Sequence, residues 1–561
     1  MKKLLFILIL LPLLPTMATP TDSTATKEAT ATKKPSTTIT GEIGLSTGFY
    51  AVSGFEPRAQ FTPWGVNGKL TIQTPSGWTI PVNVLYSSQN NRYRQPYNQV
   101  GATASFKQSL KLHAGYRNVY FSPLTLGGHL FLGAGAEVQA GKLRLGAIYG
   151  KFNRAIDADY ADPDRIASFQ RTGYSVRVGV GSRTNYVDVI MLKAADDMLS
   201  INAENAAQQR ITPAENLVLG ISSRLKIAKK FTFELDGAGS AYTRDTRAEV
   251  MNFKHLSSVR SFFTPRASSQ YFSAVQSSVG YQTKPFGIKL QYKRIEPDFR
   301  TMGAYYFQQD IESWTVAPSF KLFKKTLTLK TSLGVQHDNL LNQKKVQTNR
   351  LVGSVAAVYA PNENLSFDAL YSNYGITQKA GYLPLIDTLR LAQNNRTLST
   401  NGMYMAMGEK MTHTISVSGI YQELEDLNPR TADLNENQNW NYNASYSLQH
   451  LVANFDLTLS YSYTLTKALD LQTVYAGPAV SFAKRLFKND CLSFNTNVSY
   501  LTSKEIIFDF EDHGNVLNIS TGLDVKISEK HSFSINWNYI KSNGVQEFSE
   551  NRGMVSYQMS F

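Results

Sequence analysis

The chain closes on Met554-Val555-Ser556-Tyr557-Gln558-Met559-Ser560-Phe561, and the alternation in that stretch decides the fold. Successive side chains of a strand point to opposite faces. Val555, Tyr557, Met559 and Phe561 therefore form one apolar, aromatic face, with Ser556, Gln558 and Ser560 opposite. Such a strand divides an apolar medium from water. The same period recurs upstream in Leu365–Tyr371, Phe455–Tyr463 and Leu517–Ile527. There Asp368, Asp456 and Asp524 take the polar positions, because a charge facing hydrocarbon is costly. From Ile39 onward, segments of roughly 10–14 residues repeat the pattern.

The other end of the chain sets the compartment. Met1-Lys2-Lys3 precedes an apolar run from Leu4 to Leu14, followed by Thr16-Met17-Ala18. A short basic start, an apolar core and small residues define a secretory signal peptide over residues 1–18. Its removal takes Lys2 and Lys3 from a formal net charge of +14. No cysteine follows the apolar run, so a lipid anchor there is not expected. Residues 19–38, rich in Thr, Ala, Lys, Ser and Pro, bury too little to repay ordering and read as a disordered periplasmic tether. No other stretch approaches the roughly 18 apolar residues of a spanning helix. The remaining way to span a bilayer is a closed barrel, whose alternating strands escape hydropathy averages. The 30 Tyr and 30 Phe suit aromatic girdles, and the single Cys491 forms no intrachain disulfide.

Connections sort into two kinds. Short ones fall at 74–77, 108–109, 140–141, 228–229, 324–325, 362–364, 488–490 and 529–530. Longer polar ones fall between them, at 89–98, 154–171, 194–215, 243–269, 338–348, 376–396 and 424–437. The expected fold is an all-β transmembrane antiparallel barrel over residues 39–561, with about 26 strands (22 to 26) and both termini periplasmic. Glycine-rich Leu132–Ala136 and Leu145–Gly150 read as relief of curvature in the wall rather than as a ligand contact.

Taken together, the signal peptide, the alternation, the turn-and-loop rhythm and the Val555/Tyr557/Met559/Phe561 face resemble Gram-negative outer-membrane β-barrels of porin-like type. The terminal face resembles the assembly signal of such proteins, and the Thr- and Lys-rich start with tyrosine-rich strands is similar to barrels of Bacteroidota. The resemblance implies an outer-membrane location, contact with membrane lipid and lipopolysaccharide, and delivery by the barrel assembly machinery. It is to a class and not to one family. A TonB-dependent receptor is not expected, since no plug-sized segment lies between tether and first strand. A lipopolysaccharide-export barrel would need a periplasmic domain and a cysteine framework that are not seen here.

No catalytic or metal-binding constellation stands out. His113, His129, His255, His337, His413, His450, His513 and His531 occur singly, and one cysteine makes no thiolate zinc site. We therefore expect no enzyme activity, no metal and no cofactor; the dispersed charge does not favour a nucleic-acid partner. The alternation turns Lys69, Lys111, Arg117, Arg144, Arg177, Arg224, Lys289, Lys293 and Lys330 inward as a basic wall. Asp368, Asp456 and Asp524 form an acidic wall, with Asn441, Asn443, Asn495, Asn497, Asn536 and Asn538 beside them. Opposed walls would set up a field that tunes selectivity; alternatively the charges pair. Loop 243–269 carries Arg244, Arg247, Lys254, Arg260 and Arg266 with Phe262 and Phe263, and 250–263 has near-helical apolar spacing. It is expected to constrict the mouth, grip lipopolysaccharide phosphates or dock a protein. About 26 strands would enclose a lumen on the order of 50 Å across. The expected function is a large channel or translocon barrel, its lumen occupied by loops or by a lipoprotein or periplasmic partner. The alternatives are a free-standing porin passing small polar or anionic solutes, and a scaffold subunit of an outer-membrane complex.

Overall fold

The computed structural model describes residues 36–561 other than 89–95, 159–164, 252–261, 306–307, 381–390, 429–431, 488–490, 509 and 545–546. The expected signal peptide and nearly all of the expected tether lie outside the described residues. Among the described residues, twenty-six strands run from β1 (Thr38–Ser53) to β26 (Phe548–Ser560) in one antiparallel sheet. β1 pairs with β2 (Trp64–Gln73) on one side and with β26 on the other, so the sheet closes on itself and has no edge. The first strand begins one residue before the expected boundary.

Directly opposed residues of an antiparallel pair share a face, and the register can be followed around the wall. Ile43 and Leu45 lie opposite Met559 and Tyr557, whereas Glu42 lies opposite Ser560 and Lys69. The first set faces out and the second in. The outer face is openly apolar: Tyr149, Leu333 and Leu351 are each more than half exposed. A soluble protein would not present so large an apolar surface; a bilayer covers it.

Aromatic pairs cap this band at both ends. Trp78–Phe106, Phe231–Tyr281 and Phe286–Phe320 lie toward the rim that carries the chain ends, and Trp64–Tyr86, Tyr292–Trp314 and Tyr421–Trp440 toward the opposite rim. Amphipathic rings favour the two interfaces.

Tight turns gather at the rim of the chain ends. Ala228 and Lys229 both adopt positive φ in a three-residue connection between Ile227 and Phe231, and the Lys230 N–H closes the turn on the Ile227 carbonyl. The long connections gather at the opposite rim, but the rhythm fails in the last quarter. There the connections at 469–470 and 508–509 are as short as the turns. The strands grow tall instead: β24 (Phe510–Ser528) is 19 residues long. Likewise, β17 (Leu365–Ala380) and β18 (Ala392–Met407) take up both ends of the connection expected at 376–396.

Candidate functional site: the lumen and its infolded loops

The inner wall is not polar throughout. Between β5 (Leu110–Tyr120) and β14 (Ile311–Leu322), Phe131, Ile148, Ile190, Leu192, Val218 and Ile295 are buried on the inward face. Two connections fold onto them. Phe121, Leu124 and Leu126 come from the link between β5 and β6 (Gly127–Ala140), and Phe299 from the link between β13 (Phe286–Ile295) and β14. Each such side chain taken fully from water contributes about 1.5–3 kcal/mol.

Polar contacts hold the two links to each other and to the wall. The Thr301 hydroxyl donates to the Thr125 carbonyl at 2.6 Å, and the Gly127 N–H to the Gly303 carbonyl at 2.9 Å. The Asn216 carboxamide accepts from the Met302 N–H at 3.0 Å, and the Ser240 hydroxyl donates to the Arg300 carbonyl at 2.6 Å. The wall is cleared to receive them. A Cβ at Gly146 would stand 2.8 Å from the Phe121 ring, and one at Gly220 only 2.5 Å from the Thr125 methyl. Gly146 lies in the stretch read as curvature relief; its bare position instead admits the chain's own loop.

Beneath this apolar layer, the early strands carry charge in pairs. Arg144 donates twice to Asp188, at 2.8 and 3.0 Å, and stacks over Tyr186. Arg177 donates to Glu137 at 2.9 Å, lies 3.9 Å from Asp188, and is covered by the Phe121 ring. His113 bridges Thr103 and Glu137, and Lys111 is registered opposite Glu137. Arg224 and Lys289 share Glu234; Lys69 lies opposite Glu42. Much of the early wall is thus salt-bridged rather than a free basic surface; for Arg144 and Arg177, buried beneath the loops, a counter-ion offsets the cost of desolvation. Its acids Glu137, Asp188 and Glu234 occupy the same inward alternation and were legible by parity. Arg117, Lys293 and Lys330 also face inward by register, and none of them has a hydrogen bond or ion pair among the described residues.

The later wall is mostly neutral. Asp368 accepts from Asn401 at 3.0 Å, Asp524 weakly from Ser493, and Asp456 lies opposite Gln449. Around them Asn441 donates to Thr464, Asn497 to Ser481 and Asn538 to Asn518, with Asn443, Asn495 and Asn536 on the same face. Amides and hydroxyls, more than carboxylates, line this side.

Loop 243–269 is described only at its two ends. Lys254, Arg260 and most of the expected helix lie outside the described residues. Arg247 pairs with Asp245 at 2.8 Å, Arg266 donates to the Ala248 carbonyl, and Arg244 offers its own carbonyl to Thr212. Phe263 is buried edge-on to Tyr271, and Phe262 is half-exposed. None of its described residues joins the apolar cluster on the inner wall, to which Phe121, Leu124, Leu126 and Phe299 contribute.

A latch fixes the far end of the second infolded link. Asp310, buried, pairs with Lys344 and accepts the N–H groups of Asn339 and Leu340. Burial by itself would raise its pKa, but the lysine and the two donors outweigh that and hold the carboxyl below its ordinary value. At the seam, Val555, Tyr557 and Met559 face outward in register with β1, and Phe561 exchanges two backbone hydrogen bonds with Gly41. Among the described residues, no group of three or more His, Cys, Asp or Glu is placed to hold a metal ion.

A closed barrel with an apolar belt outside, aromatic girdles at both rims and a polar lining defines a bacterial outer-membrane β-barrel protein, integral to that membrane. No family model matches the chain, and no curated protein is significantly similar to it. Solved structures superpose loosely. The P pilus usher (PapC) translocation pore is 10% identical, with 93% of this chain and 99% of that one covered at a TM-score of 0.39. Acinetobacter baumannii OccAB2 is 12% identical, covering 62% and 92% at 0.30. Pseudomonas aeruginosa OpdK with vanillate is 11% identical, covering 62% and 93% at 0.31. The assignment rests on the barrel itself.

Proposed function

We propose that the protein is an outer-membrane channel whose lumen is narrowed on one side by its own loops, with polar solutes passing along the amide- and hydroxyl-lined later wall. The observation that carries this reading is the lock between 121–126 and 296–303 on the inward face. In this reading the rim of the chain ends and tight turns is periplasmic, as in barrels with an even strand number. The outer aromatic pairs lie among lipid and lipopolysaccharide, and the Val555–Phe561 face is what the assembly machinery engages.

A cross-link tests the lock. A Cβ at Gly127 would lie 3.2 Å from that of Ala304, close to the spacing a disulfide needs. Gly127→Cys with Ala304→Cys, in a Cys491→Ser background, is expected to suppress large openings in a planar bilayer when oxidised and to restore them on reduction. Equal currents in both states would refute gating by these loops.

A second reading has its own support. The inward positions Leu471, Ile507 and Phe510, at the tips of the tall later strands, leave an exposed apolar lip; Phe510 is 80% exposed. Such a lip suits a partner seated over the open half, as in a translocon or scaffold. Gentle extraction from native membranes, with mass spectrometry of the co-purified proteins, separates the two. A stoichiometric lipoprotein or periplasmic protein favours the partner-filled barrel, and isolation alone favours the loop-narrowed channel.

A further inference from the structure

At the border between the paired and neutral walls, one row of inward residues stands out. Successive cross-strand pairs place Lys293 opposite Ser313, Ser313 opposite Gln336 and Gln336 opposite Arg350, across β13, β14, β15 (Leu327–His337) and β16 (Val346–Tyr359). Strands are about 4.8 Å apart, so the two cations flank the two neutral donors within a span of about 14 Å. None of the four side chains makes a hydrogen bond or ion pair with a described residue. The buried Nε2 of Gln336 and Nε of Arg350 are both without an acceptor, whereas buried polar atoms are ordinarily satisfied. Lys293, Ser313 and Gln336 line an open cavity of about 350 Å³, with Gln276, Gln291 and Gln308 around it. Two acids also border the cavity and are engaged: Glu234 by Arg224 and Lys289, Asp236 by Ser122 and Gln276.

We propose that this row is a binding site for the oxyanion group, carboxylate or phosphate, of a small hydroxyl-bearing solute. Lys293 and Arg350 supply the charge, Ser313 and Gln336 donate between them, and the surrounding carboxamides take the hydroxyls. A guanidinium and an ammonium on either side of two neutral donors match an anion and leave a neutral sugar without its strongest contacts. The inference deepens the channel reading and rests on it for the route by which solute arrives.

The test uses the full chain in detergent, titrated calorimetrically with glucuronate, glucose 6-phosphate and glucose, beside currents in a planar bilayer. At least one of the two acids is expected to bind, with glucose much weaker; which acid binds tells carboxylate from phosphate. Lys293→Met and Arg350→Gln are each expected to weaken binding about ten- to a hundredfold, with the barrel still migrating as a folded species in unheated gels. Absence of binding by both acids, equal binding of glucose, or unchanged binding in both folded variants overturns the site. Binding in detergent without channel currents would fault the channel reading alone and leave the site standing. Currents without binding would do the reverse.

Discussion

Phe299→Ala is the sharpest perturbation of the infolded loops. Phe299 has no measurable exposure and belongs to the cluster formed by Phe121, Leu124, Leu126 and the inward wall. Truncating a buried phenylalanine costs about 3–5 kcal/mol once the cavity is included. Four of the hydrogen bonds that hold the same loop, at Thr301, Met302, Arg300 and Gly303, are each worth about 1 kcal/mol net. The loss therefore rivals those four bonds together. Every tenfold in population needs about 1.4 kcal/mol, so the released state should rise by at least a hundredfold. The strand ladders do not depend on Phe299, and the barrel itself should remain closed. In planar bilayers the variant should open more often and to larger steps, and limited proteolysis should cut near 296–305 while unheated gels still show a folded barrel. Phe299→Leu, which keeps most of the volume, should lie close to wild type. Wild-type currents and wild-type protection in a folded Phe299→Ala barrel would refute the idea that these loops narrow the lumen.

Three further perturbations probe other layers. Asp310 holds a lowered pKa in the latch with Lys344, so its contribution is complete above the unfolded value near pH 4 and is lost as pH falls through the lower folded value. Acidification below about pH 4 should loosen the second loop and raise open probability, and Asp310→Asn should abolish that dependence; a pH response unchanged in the variant would sink the latch. Asp188→Asn leaves the nearly buried Arg144 without its carboxylate and should lower unfolding stability by about 3–5 kcal/mol, measured by urea titration in lipid vesicles; a loss under about 1 kcal/mol would mean the pair is solvated. Val555→Arg on the lipid face should cost about 2–4 kcal/mol near the midplane, while Ser556→Arg on the inward face should cost little. Equal effects would mean that the faces of the terminal strand are assigned wrongly.

The barrel was legible because closure in a bilayer forces a repetition that one chain must display strand after strand. Val555, Tyr557 and Met559 carry it at the seam, and the turn rhythm carries it through the first three quarters. The short late connections at 469–470 and 508–509 escaped because polar residues there extend strands rather than loops, and composition does not separate the two. The infolded links escaped for a different reason. Residues 121–126 look like an ordinary turn, and the wall they cover is apolar on both faces only over short runs such as Val189-Ile190-Met191-Leu192. A continuous apolar run in a strand signals burial on both sides, and that was the available clue. The acid partners were equally available: Glu137, Asp188 and Glu234 share the inward parity of the cations they neutralise. Counting both signs of charge along the face would have favoured the pairing that the sequence left open.

The pairing of charge follows from where the loops lie. Under a loop that excludes water, an unpaired ion would cost several kcal/mol, and there Arg144 and Arg177 have carboxylates within reach; Arg224 and Lys289, more open to water, share Glu234. Along the later wall water can do the solvating, and neutral amides and hydroxyls suffice to line it. Lys293 and Arg350 fit neither rule. They lack a counter-ion among the described residues and flank the two strands that present Ser313 and Gln336 as donors. Unlike Arg117 and Lys330, these two cations bracket a pair of neutral donors in one row, an arrangement that suits an anion from outside the chain. The border between the paired and neutral walls is where a solute passing the narrowed lumen would supply it.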